Sequence, residues 1–157
     1  MKFDAKRFSN TDWAIVGGAA LAFLSGFLPW WGYNGPLGLY ASSISGWSAG
    51  FSAWAGILLL TVAGVYLFLR RSEVSLRTPY VGPAVFVAGV AALGLLLVVI
   101  RWVTLPRVHA GLAGSIGAKY GIWIAIIGGA IETVGAVAQM RASGEPLPWA
   151  EKSAPES

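Results

Sequence analysis

Glu132 is the one acidic residue that lies deep within a long apolar run, the segment 120–140. A carboxyl group in such a run can carry a proton, hold a cation or bond to a neighbouring helix. Because a charge at the bilayer centre costs about 3 kcal/mol on insertion scales, the Glu132 side chain is expected to face protein rather than lipid.

The residues around Glu132 repeat at the spacing of a helix-packing seam. Intervals of 4, 3, 4, 3 and 4 residues follow the a/d period that keeps one face toward a neighbouring helix, and the face comprises Gly121, Ala125, Gly128, Glu132, Gly135 and Gln139. Small residues allow close backbone approach, and polar side chains bond across such seams. At the depth of Glu132 the other apolar segments carry Leu21, Thr61 and Gly89. Thr61 offers a hydroxyl, so we predict Glu132, Thr61 and Gln139 as intramembrane polar residues.

Three roles stay open for Glu132. It is a protonated, hydrogen-bonded structural residue, a polar contact to another subunit, or a proton- or cation-handling site. The third role usually requires a second ionisable group or a longer polar path, and neither is evident in the sequence.

The connection 101–120 carries a cluster of cations: Arg101, Arg107, Lys119 and the single histidine, His109. Cations beside glycine amides suit an anionic lipid headgroup or a phosphate. The alternative is that Arg101, Arg107 and Lys119 anchor two helix ends at the interface. No carboxylate is assigned to this side to orient His109, which argues against hydrolytic catalysis. With one histidine and no cysteine, we predict no catalytic residue, no metal site and no cofactor.

The elements that carry these residues are four apolar segments of about 20 residues, enough to cross a bilayer. Apolar residues form 56% of the 157-residue chain and charged residues only 11%, too few to cover a soluble surface. We predict an all-α bundle of four transmembrane helices within 1–142, followed by a disordered cytoplasmic tail, 143–157. The spans are about 13–31, 51–69, 81–100 and 120–140.

The distribution of Lys and Arg predicts the orientation. Eight lie in the N-terminal segment, the second connection and the tail, against three in the other connections. By the positive-inside rule both termini are cytoplasmic, in a multi-pass protein of the cytoplasmic (inner) membrane. Since the cations flank apolar runs and form no patch of their own, nucleic acid is not an expected partner.

The first outer loop, 32–50, is uncharged, and three aromatic residues in or near it are Tyr40, Trp47 and Trp54. The stretch "LYASSIS" permits a short hairpin. Three roles are open for this loop: it rests on the bilayer, it docks a partner protein, or it covers a substrate. An uncharged aromatic surface resembles an interface core, so Tyr40, Trp47 and Trp54 are the predicted docking residues.

Three motifs carry a family resemblance: "FLPWW", "SGWSAG" and "GAKYGIWIAIIGGAI". With these the chain resembles small four-span membrane proteins of actinobacteria whose function is unassigned. The resemblance implies a fold and a location, and it supplies no catalytic residues.

Together these features favour a non-enzymatic accessory, assembly or scaffold subunit. Its expected partners are membrane lipids and a larger membrane complex or further copies of itself. It would dock through the aromatic outer loop and small-residue helix faces. The alternative is a small transporter or channel subunit that uses Glu132. A third class, an enzyme acting on lipid-linked substrates through Arg101, Arg107 and His109, lacks an acid–base pair.

Overall fold

The computed structural model describes residues 5–36, 41–72, 74, 80–109 and 114–145. These residues form four long helices and one small antiparallel sheet. The helices are α1 Asn10–Ser25, α2 Phe51–Arg71, α3 Pro83–Thr104 and α4 Tyr120–Ser143. The strands are β1 Pro29–Asn34, β2 Ala41–Ser45, β3 Val108–His109 and β4 Ser115–Ala118. Short 3₁₀ turns cover Ala5–Arg7 and Gly46–Ser48.

Three helices, α2, α3 and α4, are long and apolar enough to cross a membrane. They occupy the second, third and fourth predicted spans and run two to four residues past the predicted ends, to Arg71, Thr104 and Ser143. Arginines near these ends did not stop the helices, because their long side chains reach polar surroundings from within a helix. Of the predicted tail, 143–157, residues 146–157 lie outside the described residues.

The first helix is shorter than the predicted first span. α1 has 16 residues and ends at Ser25, whereas the prediction continued to Trp31. Backbone bonds of the tighter i→i+3 kind carry the chain on to Leu28. Pro29 then begins a strand, because proline has no N–H to donate and disfavours helical geometry in the residue before it.

The sheet joins the two connections at one end of the bundle, called here the sheet end. Its strand order is β2-β1-β4-β3, and each neighbouring pair is antiparallel. β1 therefore pairs both with the strand that follows it and with β4, which leads into α4. The sequence predicted at most a hairpin here, since a pairing such as Trp31 with Ala118 leaves no local signal.

Trp30 fastens the sheet to the helices. Its side chain is fully buried, and its indole N–H donates to the Ser25 carbonyl oxygen at 2.8 Å. Gly46 and Gly121 lie against the ring, and a Cβ at either position would come within 2.7 Å of a ring atom. The tryptophan therefore fills a slot formed by glycine backbones.

The opposite end is called the Asp12 end, because α1 begins there, beside the end of α2, the start of α3 and the end of α4. Between the two ends each helix packs against two neighbours, around the ring α1–α2–α3–α4. Large apolar side chains remain exposed along every helix, among them Leu24, Val65, Leu96 and Val134. Such a surface suits a lipid solvent rather than water.

The backbones of α1 and α4 approach closely at Gly18. A Cβ built at Gly18 would lie 2.5 Å from the Gly128 carbonyl oxygen and 2.8 Å from the Glu132 Cβ. Backbone atoms cannot move aside without separating the helices. Gly18 therefore sets the distance between them.

We expect Gly18→Ala to lower the free energy of unfolding by about 1–3 kcal/mol, because overpacking forces α1 away from α4. The matched control is Gly17→Ala on the same helix, where an added Cβ meets nothing within 4 Å. This control should be neutral or stabilising, since alanine favours a helix over glycine. Thermal unfolding in mild detergent, followed by circular dichroism, measures both. Equal transition temperatures for the two variants would refute the assignment.

Candidate functional site

Glu132 lies near the middle of α4, about 17 Å along the helix axis from either end. Its side chain is fully buried, and its backbone nitrogen and Cβ lie against Gly18 of α1. Neither carboxyl oxygen has a hydrogen-bond partner among the described residues. A buried polar group left without a partner is rare in folded proteins, and among the described acids Glu132 is the one with neither oxygen paired.

The residues predicted at the depth of Glu132 do not bond to its carboxyl group. The Thr61 hydroxyl donates to the Ile57 carbonyl oxygen of its own helix at 2.8 Å. Gly89 is exposed, and a Cβ there would meet nothing within 4 Å. The sequence prediction measured depth in the bilayer from a first span that starts at residue 13. The helix α1 begins three residues earlier, at Asn10. Gly18 therefore reaches the level that was assigned to Leu21.

The small-residue seam of α4 faces α1. A Cβ built at Gly128 would lie 2.8 Å from the Gly18 carbonyl oxygen, and one built at Gly135 would lie 3.1 Å from the Ile15 Cγ1 atom. Buried positions along the seam are Gly121, Ala125, Gly128, Glu132 and Gly135. Because α1 occupies it, the seam is not a free surface for another subunit.

Asp12 joins three helices, a role that the sequence did not indicate. Its carboxylate is fully buried and accepts hydrogen bonds from Arg71 of α2 at 3.1 Å and from Gln139 of α4 at 2.9 Å. Ser9 and Asp12 also form a reciprocal capping box at the start of α1. The spacing of serine and aspartate predicts that cap, but the contacts to Arg71 and Gln139 depend on tertiary packing.

Glu145 closes the Asp12 end in a similar way. One carboxyl oxygen accepts from the backbone amides of Ala84 and Val85, at 2.9 and 3.2 Å. These are the first amides of α3, which have no acceptor within the helix. Beside them is a cavity of about 510 Å³ that all four helices line, with Arg70 and Arg71 in its wall. Asp12 and Glu145 both accept hydrogen bonds from other helices of the same chain. These contacts hold the helices together at this end of the bundle.

The tryptophans of the predicted docking loop lie in different environments. Trp47 is half-buried: its ring packs on Gly26, and its centroid lies 5.7 Å from that of Phe23 and 5.6 Å from that of Phe27. Trp54 belongs to the first turn of α2 and packs edge to face on a neighbouring ring. Trp47 thus serves the chain's own packing. The predicted docking residue Tyr40 lies outside the described residues.

The three cations predicted to meet lipid headgroups separate into two environments. Arg101 lies beside Gly50, where an added Cβ would be 3.4 Å from the guanidinium carbon. Arg107 and Lys119 instead line a cavity of about 280 Å³, called here the cationic pocket, together with Trp102 and Trp123. His109 lies in β3, but its side chain is not among those described.

No group of three metal-ligating side chains occurs within the described residues. The candidate sites among the described residues are the buried carboxyl of Glu132, the hydrogen-bonded acids Asp12 and Glu145, and the cationic pocket.

We expect Arg71→Gln to lower the free energy of unfolding by about 1–2 kcal/mol, because the buried Asp12 carboxylate loses its cation. The loss is moderate since the Arg71 side chain is 40% exposed. Arg70→Gln, one residue away and exposed, is the matched control and should change little. Thermal unfolding in detergent reports both. If the two variants unfold alike, Asp12 does not depend on Arg71.

The chain was compared with known proteins at the level of families, sequences and structures. No family model, no curated protein and no solved structure matches it.

Proposed function

We propose that this protein is a four-span subunit of the cytoplasmic membrane that assists or scaffolds a larger membrane complex without catalysing a reaction. α1 supplies the fourth span in this proposal. Its 16 residues rise about 24 Å, and the tight turn to Leu28 adds length. Its exposed side chains, such as Leu21 and Leu24, are apolar, as a lipid-facing helix requires.

The charges at the two ends support an orientation with both termini in the cytoplasm. Short connections rich in Lys and Arg remain on the cytoplasmic side. Among the described residues the Asp12 end carries five, Lys6, Arg7, Arg70, Arg71 and Arg141, and the sheet end carries three, Arg101, Arg107 and Lys119. The sheet end then faces outward.

The free edge of β2 is the observation that carries the accessory role. β2 is one of the two edge strands of the sheet, and among the described residues no strand pairs with its other edge. Its sequence, ASSIS, has no charge and no proline. Natural proteins block exposed edges with lysine, proline or a bulge on the open side, because an open edge recruits further strands.

An open, uncharged edge suits strand addition by a partner. Backbone hydrogen bonds from an extended segment give affinity, and side chains on alternate faces give selectivity. Ala41, Ser42 and Ser43 are exposed and small, so a partner strand could approach without steric hindrance. The sequence predicted docking through aromatic side chains, but the Trp47 ring packs within the chain itself. The proposed docking site is therefore the β2 edge.

We expect Ser42→Lys to reduce partner recovery several-fold, because a lysine on the strand opposes edge pairing. Its matched control is Ser48→Lys, which adds the same charge at an exposed position just outside the strand. Native purification in mild detergent with quantitative mass spectrometry of the co-purified proteins measures both variants against the wild type.

The unfolding temperature is compared in parallel, and both variants should match the wild type. Equal partner recovery with Ser42→Lys and Ser48→Lys would exclude the β2 edge as the docking site. A wild-type protein that purifies without any stoichiometric partner would exclude the accessory role itself.

Glu132 favours a second candidate, a small transporter or channel subunit that handles a proton or a cation. The supporting observation is the enclosed carboxyl group without a partner among the described residues. Carboxyl groups inside membrane segments commonly mark ion or proton pathways.

Under this second candidate we expect Glu132→Gln to abolish flux, since the amide keeps the shape of the side chain and cannot exchange a proton at neutral pH. Purified protein in vesicles, with a membrane potential and an internal pH dye, measures that flux. Gly17→Ala serves as the control for reconstitution. Wild-type vesicles that leak no faster than protein-free vesicles, or equal flux in the variant, would eliminate this candidate.

A further inference from the structure

The cationic pocket lies at the sheet end, where β4 leads into α4 and where α3 ends. One wall is formed by Asn34 and the strand Ser115–Ala118. Its aromatic wall is Trp102 and Trp123, whose ring centroids lie 5.1 Å apart in an edge-to-face arrangement. A volume of about 280 Å³ is sufficient for a phosphate group and a small polar substituent.

Neutral partners hold both cations of the pocket in place. Arg107 donates to the Trp102 carbonyl oxygen at 3.2 Å, and its guanidinium carbon lies 5.1 Å from the centroid of the Trp102 ring. The Lys119 ammonium donates to the side-chain oxygen of Asn34. These contacts fix the positions of the charges and leave both charges uncompensated.

The acids of the described chain lie away from the pocket. Asp12 and Glu145 bind groups at the opposite end of the bundle, and Glu132 lies near the middle of α4. Two fixed positive charges in one small cavity repel each other and attract an anion. The pocket therefore has the electrostatics of an anion site with no acidic side chain described near it.

The surface next to the pocket is apolar. Trp123, in the pocket wall, is followed on α4 by Ile127 and Ile131, one and two turns toward the middle of the helix. All three side chains are exposed. An anion attached to hydrocarbon chains would therefore find its polar site and its apolar surface on the same face of α4.

We propose that the cationic pocket binds the phosphate of an anionic phospholipid in the leaflet at the sheet end. Arg107 and Lys119 bind the phosphate oxygens, as cations held in fixed positions do. The tryptophans lie at the glycerol level, where amphipathic rings are favoured. The acyl chains lie along Ile127 and Ile131. This site is independent of the β2 edge and of Glu132.

The test measures lipid binding to the full chain, purified in a mild neutral detergent, by native mass spectrometry and by the shift in unfolding temperature. Three probes are added separately: phosphatidylglycerol, phosphatidylcholine with the same acyl chains, and inorganic phosphate. We expect retention and a raised unfolding temperature with phosphatidylglycerol, and little effect from the other two.

The variants Arg107→Gln and Lys119→Gln should each weaken phosphatidylglycerol binding by about five-fold, the effect of removing one cation near a lipid surface. Arg101→Gln is the matched control, because it removes an equal charge at the sheet end outside the pocket, and binding should stay at the wild-type level. Arg107→Lys serves where Arg107→Gln unfolds, and it should weaken binding less than removal of the charge.

Several results would overturn the proposal. Equal weakening by Arg101→Gln would show diffuse attraction to the whole sheet end. Equal binding of phosphatidylcholine would exclude recognition of the net anionic charge. A shift produced by inorganic phosphate alone, and lost in Arg107→Gln, would replace the lipid with a soluble phosphate ligand.

Discussion

The close approach of α1 to α4 at Gly18 and Gly128 is the constraint on which the rest of the bundle depends. Without a Cβ at Gly18, the backbone of α1 rests directly against α4 at the level of Glu132. That contact encloses the Glu132 carboxyl group between helices and closes the α4 seam to other subunits. Between helices in a lipid solvent, burial of apolar surface gives little, so close packing of this kind contributes to association together with interhelical hydrogen bonds and lipid entropy.

The two ends of the bundle are closed by different means. At the Asp12 end, two carboxylates bind groups on other helices: the buried Asp12 joins α1 to α2 and α4, and the partly buried Glu145 binds the first amides of α3. At the sheet end, the elements are held together by backbone pairing between strands and by the hydrogen bond of the buried Trp30 side chain. Acids therefore concentrate at one end of the described chain, and the cations of the other end remain uncompensated.

Hydropathy was sufficient to locate α2, α3 and α4, because a bilayer requires a long apolar run and few other structures contain one. The spacing on α4 also predicted a face of small residues. The predicted depth of Glu132 in the bilayer did not identify its neighbour on α1. The helix α1 begins three residues earlier than predicted, so the residue beside Glu132 is Gly18 and not Leu21. Pairings such as Arg71 with Asp12 join residues far apart in the chain, and no local pattern encodes them.

The order of strands in the sheet has a consequence for biosynthesis. β1 and β2 are synthesised early, whereas β4 is synthesised only after α2 and α3. Trp31 therefore cannot pair with Ala118 until most of the chain has been made. A contact this distant in sequence forms slowly. During the insertion of α2 and α3, β1 is a strand with one side unpaired, open to other chains. The nascent protein is thus most exposed to misassembly before its last helix enters the membrane.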